Sequence, residues 1–457
     1  MPPAHSQPSF ARECRDTLTL ALPLIAGQLS QMLMGVADTI MVGRLGVIPL
    51  GAATFANTLL VVPFVLGIGL LTSISVRVSQ ASGANRTADA EEALRHGTLL
   101  ALGYGLLVVL LAVLGQPMLG HLGQPPEIVA QTPTYLLTCA VSLVPALLSL
   151  AWKNHADALN HPWRPFWIML GGVGLNVLLN WLWIRGHWGF PALGLEGAGY
   201  ATLVSRIITA VVMFQWLTRS PLVRAWTPPR WLAPCRRSAF VHLLAIGFPA
   251  SIQLLIEVTA FAVAALLIGT LGAVPLAAHQ VAITCAATTF MLPLGMAMAI
   301  TVRVGEIVGA GDRERLHRVL FGGWLFATGF MIVSSLAFLI FGREIAGQFV
   351  RDRGVVEMAA RLLIVAGLFQ CFDGIQVVSA NALRGVNDVH VPTGIAFVAY
   401  WLIALPAGAA LGLGYHYGPM GMWAGLAMGL AVAAVAMGYR AWRKLAPLPT
   451  HSGAQSR

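Results

Sequence analysis

The sequence predicts an all-α integral membrane protein with twelve transmembrane helices in two homologous six-helix lobes. Three observations support this fold class. Of the 457 residues, 57% are hydrophobic and only 10% are charged, whereas soluble domains carry about 25% charged residues. Long apolar runs recur along the chain, and about 20 such residues can cross the hydrocarbon as a helix. Finally, segments of the first half recur in the second half.

The apolar runs predict twelve spans in two sets of six. The first set comprises residues 17–43, 50–76, 94–114, 132–152, 162–184 and 195–217. The second set comprises residues 240–268, 275–301, 318–340, 358–380, 391–413 and 418–442. The runs are too long for transmembrane strands and lack their alternating pattern, so we expect helices.

The internal repeat has a constant offset of 226 residues. One repeated segment is LGVIPLGA, which starts at Leu45 and recurs as LGAVPLAA from Leu271 with five of eight identities. A second segment starts at Ile74 and recurs from Ile300 with six of eleven identities. Six spans per copy is an even number, so both copies enter the membrane in the same direction. This pattern predicts a parallel repeat with its site between the halves, as in transporters.

The predicted domain boundaries follow the repeat. A basic, proline-rich segment separates the two halves and is expected to be a cytoplasmic linker. The boundaries are 1–16 for a cytoplasmic N-terminal segment, 17–217 for the N-lobe with helices 1–6, 218–239 for the linker, 240–442 for the C-lobe with helices 7–12, and 443–457 for a cytoplasmic tail.

The net charge of +10 is explained by where the basic residues fall. With the N-terminus inside, 21 Lys and Arg residues fall on the inner side, 6 fall on the outer side, and Arg206 lies within a span. This distribution follows the positive-inside rule, so both termini are predicted to be cytoplasmic and no nucleic-acid partner is expected. The polar first 16 residues are not followed by a signal-peptide pattern, so no cleavage is expected.

The sequence gives no indication of an enzyme. The five cysteines are scattered singly, without metal-binding spacing. The phosphate-binding GxxxxGK[ST] pattern and the GxSxG and HExxH motifs are absent. We therefore expect no catalytic residue and no cofactor other than a coupling ion.

Three carboxyl side chains lie well inside apolar spans, namely those of Asp38, Glu257 and Asp373. A charge in hydrocarbon costs about 2.5–3.5 kcal/mol, so such residues face a cavity, form a pair or stay protonated. Each acid can therefore couple H⁺ or Na⁺ movement to a substrate, and a Na⁺ ion can be bound at Asp38 or between Glu257 and Asp373. A structural buried hydrogen bond is the alternative for each.

A polar cluster is predicted in the first lobe. Asn176 and Asn180 lie four residues apart, on one helix face. Together with Asp38 and Thr202 they can form one polar site, and interhelical hydrogen bonding without a transport role is the alternative.

Several residues near the acids are candidates for lining a substrate cavity. Aromatic faces attract lipophilic cations, and methionine adapts to varied shapes. The candidates are Met34, Phe261, Gln280, Phe290 and Phe369. Ordinary packing is the alternative for each of them.

Several motifs resemble those of the multidrug and toxic compound extrusion (MATE) transporters, especially the bacterial NorM-like branch. They are LPLI from Leu22, ADTIMVG from Ala37, AAHQVA from Ala277, LPLGM from Leu292 and ALRG from Ala382. The motifs occur in order, and the resemblance extends from about residue 17 to residue 442.

This resemblance implies two six-helix lobes in a V that open alternately to either side of a bacterial inner membrane. It also implies a secondary antiporter, expected to be a monomer, that exports cationic amphipathic drugs and dyes in exchange for Na⁺ or H⁺. By matching position, it assigns ion coupling to Asp38, Glu257 and Asp373, and the N-lobe polar site to Asn176, Asn180 and Thr202.

The chain departs from sodium-coupled relatives at one position. The resemblance implies an aromatic hydroxyl one turn before the second C-lobe acid, Asp373, in sodium-coupled relatives. This chain has Phe369 at that position. The departure weakens the case for a Na⁺ site in the second lobe.

Other functions remain as alternatives. A flippase for lipids or lipid-linked oligosaccharides predicts more basic residues inside the bundle, whereas this sequence places acids there and few bases. A receptor or channel fits the number of spans alone, but the duplicated lobes with paired acids favour alternating access.

Overall fold

The computed structural model describes residues 9–231 and 233–446. The predicted N-terminal segment and tail therefore lie partly outside the described residues. Within these ranges the chain forms twelve helices that are long and apolar enough to cross a membrane. The predicted all-α fold with twelve spans is confirmed.

The first six helices are α1 Phe10–Gly43, α2 Val47–Gly83, α3 Thr87–His121, α4 Pro126–Ala158, α5 Trp163–Arg185 and α6 Gly194–Arg219. The second six are α7 Arg237–Gly269, α8 Ala273–Ala310, α9 Arg313–Phe349, α10 Arg353–Gly385, α11 His390–Gly414 and α12 Gly418–Leu445. Most are longer than the predicted apolar runs, because their terminal turns contain charged residues that hydropathy excludes.

The duplication is visible in the backbone of the turns. Gly46 and Gly272, which precede α2 and α8, both have a φ of +122°. This conformation favours glycine, which lacks a Cβ atom. Asn160 and Asn387, which follow α4 and α10, both have a φ of +61°. Corresponding turns of the two halves therefore keep the same local geometry.

The chain divides into two compact units. The C-unit contains the residues up to Leu22, Gly83–Asn85 and the chain from Ile256 onward, and the N-unit contains Pro23–Ser82 and Arg86–Leu255. This division differs from the predicted lobes, because residues 17–22 belong to the C-unit and residues 240–255 belong to the N-unit. The first helix of each half is thus shared between the two units.

Specific contacts explain why the N-terminal end of α1 belongs to the C-unit. The carboxylate of Glu13 is fully buried and accepts hydrogen bonds from the guanidinium groups of Arg303, at 2.7 Å, and Arg315. A buried carboxylate needs such partners. This ion cluster fixes the beginning of α1 to α8 and to the start of α9.

The N-terminal half of α7 and the residue before it are held in the N-unit by hydrogen bonds to α2 and α3. The hydroxyl of Ser251 donates to the carbonyl of Leu66 at 2.7 Å. The backbone N–H of Arg236 donates to Nε2 of His96 at 3.0 Å, and Phe240 packs edge-on against that imidazole. Hydropathy locates α7 but gives no information about these partners.

Candidate functional site

The N-unit contains a continuous polar cluster on three helices. Asn180 donates from Nδ2 to the Asp38 carboxylate at 2.6 Å and to Oδ1 of Asn176 at 3.1 Å. Asn176 in turn donates to the hydroxyl of Thr202 at 3.3 Å. Both asparagines are fully buried. The structure thus brings together all four residues that the sequence placed in this cluster.

Helix geometry explains why this cluster forms. Asn176 and Asn180 lie one turn apart on α5 and therefore share a face. That face lies beside Asp38 of α1 and Thr202 of α6. Because each side chain hydrogen-bonds to the next, the cluster satisfies most polar groups that burial would otherwise penalise.

One buried polar atom of the cluster has no hydrogen-bond partner within the described part of the chain. The amide oxygen Oδ1 of Asn180 is buried and accepts no hydrogen bond from any described residue. This oxygen belongs to the same amide group that donates to Asp38. Beside a carboxylate, a free acceptor suits a proton donor or a cation.

Arg206 is a further residue near this cluster that sequence reasoning did not assign to it. It lies one turn beyond Thr202 on α6, and its Nη1 donates to the hydroxyl of Ser142 at 2.8 Å. The guanidinium lies close enough to Asp38 to interact with it electrostatically, as do Tyr135 and Cys139 of α4. The available signal was its position, since Arg206 lies near the middle of the predicted span 195–217, away from the span ends.

The C-unit brings together the other two acids. The carboxyl groups of Glu257 on α7 and Asp373 on α10 interact electrostatically. The hydroxyl of Tyr400 donates to Oε1 of Glu257 at 3.3 Å and also interacts with Asp373. The predicted acid pair therefore has an aromatic hydroxyl, which comes from α11 rather than from position 369.

A local irregularity of α11 accompanies this contact. The segment Val398–Ala404 is a π-helix, a form that often occurs at functional sites. Within it, Tyr400 is fully buried, and the indole of Trp401 donates to the carbonyl of Ile256 at 3.2 Å. Two successive residues of the π-helix thus contact α7 at Glu257 and at the residue before it. No sequence pattern used above predicts this segment.

Arg384 is the basic residue beside the C-unit acids. It is buried and interacts electrostatically with Glu257. Its Nη1 donates to Oδ1 of Asn381 at 3.2 Å, and the hydroxyl of Thr301 donates to the same oxygen at 3.1 Å. In the sequence, Arg384 stands out only as part of the ALRG motif. The C-unit site therefore combines two acids with one base.

The candidate cavity residues have different environments. Phe369 is 3% exposed and packs against Trp423, with ring centroids 5.7 Å apart, so it belongs to the apolar core of the C-unit. Phe261 is partly buried and lies 6.2 Å from the Tyr400 ring, next to the acids. Of the rest, Met34 and Phe290 are partly buried and Gln280 is exposed.

The donor atoms at both sites are oxygens of carboxyl, amide and hydroxyl groups. Within the part of the chain that the structure describes, no three His, Cys, Asp or Glu residues form a metal-binding group. The chemistry of the donors therefore suits protons, alkali cations and organic cations better than transition metals.

Comparison with known proteins gives matches along most of the chain. The MatE family model matches residues 23–182 and 249–410, once in each half, and the two matches begin 226 residues apart. The probable multidrug resistance protein NorM of Xanthomonas axonopodis pv. citri (strain 306) is 38% identical over 96% of both chains. The protein of that name from Rhizobium meliloti (strain 1021) is 33% identical over 97% of this chain and 96% of its own.

A solved structure has the same fold. The Vibrio cholerae MATE transporter VcmN in the bent form aligns with a TM-score of 0.86 and covers 95% of this chain and 97% of its own. Since its sequence identity is 22%, this likeness concerns the fold alone.

Proposed function

Because this chain belongs to the MatE family, we propose that it is a secondary antiporter for cationic amphipathic drugs and dyes. Its substrates are small molecules, its environment is a bacterial membrane, and its type of activity is multidrug export. In the proposal, export across the inner membrane is driven by Na⁺ or H⁺ entry, through alternating access of two lobes. Both termini are cytoplasmic in this proposal, as the positive-inside distribution indicates.

The observation that carries the proposal is the pair of polar sites built around acids within apolar helices. Asp38 lies in one of them, and Glu257 and Asp373 lie in the other. Acids at such positions are costly, and within membrane helices they commonly mark ion pathways and proton relays. Export requires that the ion and the substrate each bind one conformation better than the other, because equal affinities would shift no equilibrium.

At the N-unit site, Asn180 can serve both protonation states of Asp38. Its Nδ2 donates to the ionised carboxylate. Joint rotation of the Asn180 and Asn176 amides would turn the unpartnered Oδ1 of Asn180 towards a protonated carboxyl, which then donates its own proton. The rotated Asn176 amide would then donate to the same oxygen, in place of the present bond between the two side chains. The site can therefore bind and release a proton without leaving Asp38 unpartnered in either state.

At the C-unit site, the balance of charges favours a bound cation. When both Glu257 and Asp373 are ionised, they carry two negative charges against the single positive charge of Arg384. The excess negative charge attracts Na⁺ or the cationic group of a substrate, and the hydroxyl oxygen of Tyr400 is an additional ligand for it.

The test is ethidium efflux from liposomes that contain the purified protein, with Na⁺ and pH gradients imposed separately. We expect efflux under at least one gradient, and impaired efflux in Asp38→Asn, Glu257→Gln and Asp373→Asn. The matched control is Glu127→Gln, which neutralises an exposed acid at the start of α4. Wild-type rates in all three site variants would contradict the assignment of the carboxyl groups.

The rival function is lipid or lipid-linked oligosaccharide transfer, and one observation favours it. Arg206 lies beside the acid of the N-unit and Arg384 beside the acids of the C-unit. Basic residues inside the bundle are the feature that the flippase alternative predicts. The same liposomes test this rival with a fluorescent phospholipid. Scrambling of that lipid without ethidium efflux would support the flippase over the drug exporter.

A further inference from the structure

We propose that Arg206 is a specificity-determining residue of the N-unit site. Its fixed positive charge keeps alkali cations away from Asp38, so that the proton is the ion that this carboxyl exchanges. The inference rests on the proposed function, since it takes Asp38 as a coupling carboxyl.

The position of Arg206 is set by two sides of the N-unit. On α6 it follows Thr202 by one turn and shares its face, and Thr202 is linked through Asn176 and Asn180 to Asp38. On α4, the hydroxyl of Ser142 accepts a hydrogen bond from Nη1 of Arg206 and donates to the carbonyl of Cys139 at 2.7 Å.

The guanidinium is therefore held near Asp38 without occupying the carboxylate. Asp38 takes its hydrogen bond from Asn180, at 2.6 Å, and Arg206 gives one to Ser142. The two charges act on one another across this gap. A residue that only neutralised the acid would be expected to form a direct ion pair with it.

Among the residues that the structure describes, the groups that interact with Asp38 leave Arg206 as the source of positive charge. α4 contributes the phenol of Tyr135 and the thiol of Cys139, and α5 contributes the neutral amides of Asn176 and Asn180. The guanidinium of Arg206, from α6, stays charged at any working pH. Its charge therefore acts on every cation that approaches this carboxylate.

A nearby positive charge weakens the binding of H⁺ and Na⁺ alike, but the consequences differ. A proton forms a covalent O–H bond with the carboxylate, whereas Na⁺ only exchanges some of its water for protein oxygens. A carboxylate binds Na⁺ only weakly, so the same loss of affinity prevents Na⁺ from binding at the concentrations at which it is present. Proton exchange is retained, because the affinity for H⁺ is much higher. Repulsion is strongest where water is excluded.

The C-unit site provides the contrast. Two acids, Glu257 and Asp373, face one base there, Arg384, so a cation is still attracted when both acids are ionised. At the N-unit site, one acid faces one base. The C-unit acids must therefore be neutralised before Na⁺ binding at Asp38 can be detected.

The test measures Na⁺-dependent thermal stabilisation of the full-length protein that carries Glu257→Gln and Asp373→Asn. A ligand that binds only the folded state raises the melting temperature. Melting in NaCl is compared with melting in N-methyl-D-glucamine chloride at the same ionic strength. We expect no Na⁺-specific shift in this parent, and a clear shift after Arg206→Gln, with Na⁺ affinity higher by on the order of tenfold or more.

Two controls distinguish the effect of the charge of Arg206 from the effect of changing its side chain. Arg206→Lys keeps the positive charge and should behave like the parent. Adding Asp38→Asn to Arg206→Gln should abolish the new Na⁺ response. A folded Arg206→Gln protein without a Na⁺ response would overturn the proposal, as would an equal response in Arg206→Lys.

The parent alone also tests the proposal if the Arg206 variants fail to fold. An Na⁺-specific shift in the parent that disappears with Asp38→Asn would show that Na⁺ binds there despite Arg206, and would overturn the inference. The absence of a Na⁺-specific shift in the parent would support the inference. Failure of the proposed function is seen separately, as a lack of ethidium efflux from the wild-type protein under either gradient.

Discussion

Asn180 donates to Asp38 at 2.6 Å through its amide nitrogen, while its amide oxygen is buried without a partner among the described residues. One side chain thus offers a donor for the ionised carboxyl and an acceptor for the protonated one. The hydrogen bond links α5 to the part of α1 that belongs to the N-unit.

Replacing Asn180 by Leu should therefore impair export. A hydrogen bond to a charged group contributes about 1.5–3 kcal/mol, so we expect the efflux rate of ethidium to fall by about tenfold or more. Gln131→Leu is the matched control, since Gln131 is exposed near the start of α4. Equal efflux in the two variants, at equal amounts of folded protein, would argue that the Asn180 contact is only structural.

Tyr400→Phe should weaken cation binding at the C-unit site without unfolding the protein. The change removes the hydroxyl that donates to Glu257 at 3.3 Å and keeps the buried ring. Because this contact is long, we expect a loss of about three- to tenfold in apparent affinity for the driving ion or the dye. The measurement is the concentration dependence of efflux, with Tyr439→Phe as the exposed control. An unchanged concentration dependence would remove Tyr400 from the site.

Glu13→Ala should destabilise the protein, because it leaves Arg303 and Arg315 without their shared carboxylate. Breaking a buried ion pair costs about 3–5 kcal/mol, and we expect the lower end since Arg315 is 22% exposed. Thermal unfolding in detergent measures the effect. Asp16→Asn is the control, as Asp16 is 45% exposed and 3.8 Å from Arg303. Similar melting of both variants would show that the cluster contributes little.

Stability should also depend on pH through His161, which lies between α4 and α5, outside the spans. Burial lowers the pKa of this imidazole from its ordinary value of 6.5. The unfolded state then binds the proton more readily, so the free energy of unfolding falls as the pH drops through about 6.5. His161→Gln should flatten this part of the profile, and the exposed His121→Gln should not. Parallel profiles for both variants would contradict the assignment.

The sequence was sufficient for the fold and for the N-unit cluster. Apolar runs report membrane spans directly, and the four-residue spacing of Asn176 and Asn180 reports a shared helix face. Tyr400 was not predicted, since an aromatic residue in an apolar run looks like ordinary packing until the π-helix is seen. Arg206 was noticed as a charge within a span, but its neighbours lie on helices far apart in the sequence.

The sequence also does not predict that α1 and α7 are each divided between the two units. Hydropathy identifies each helix but does not say which neighbours its ends contact. The deciding contacts are of long range, between Glu13 and Arg303 and between Ser251 and Leu66. Such pairs become visible only in three dimensions.

This sharing has a consequence for each half of the chain taken alone. A gene for one half, cut at residues 218–239, would encode the start of α1 without Arg303, and the other half would contain Ser251 without Leu66. Each product would thus lack partners that hold the N-terminal end of its own first helix, although the repeat makes the two halves similar in sequence. The first helix of each half therefore depends on residues that only the other half supplies, and we expect the two halves to be stable only when both are present.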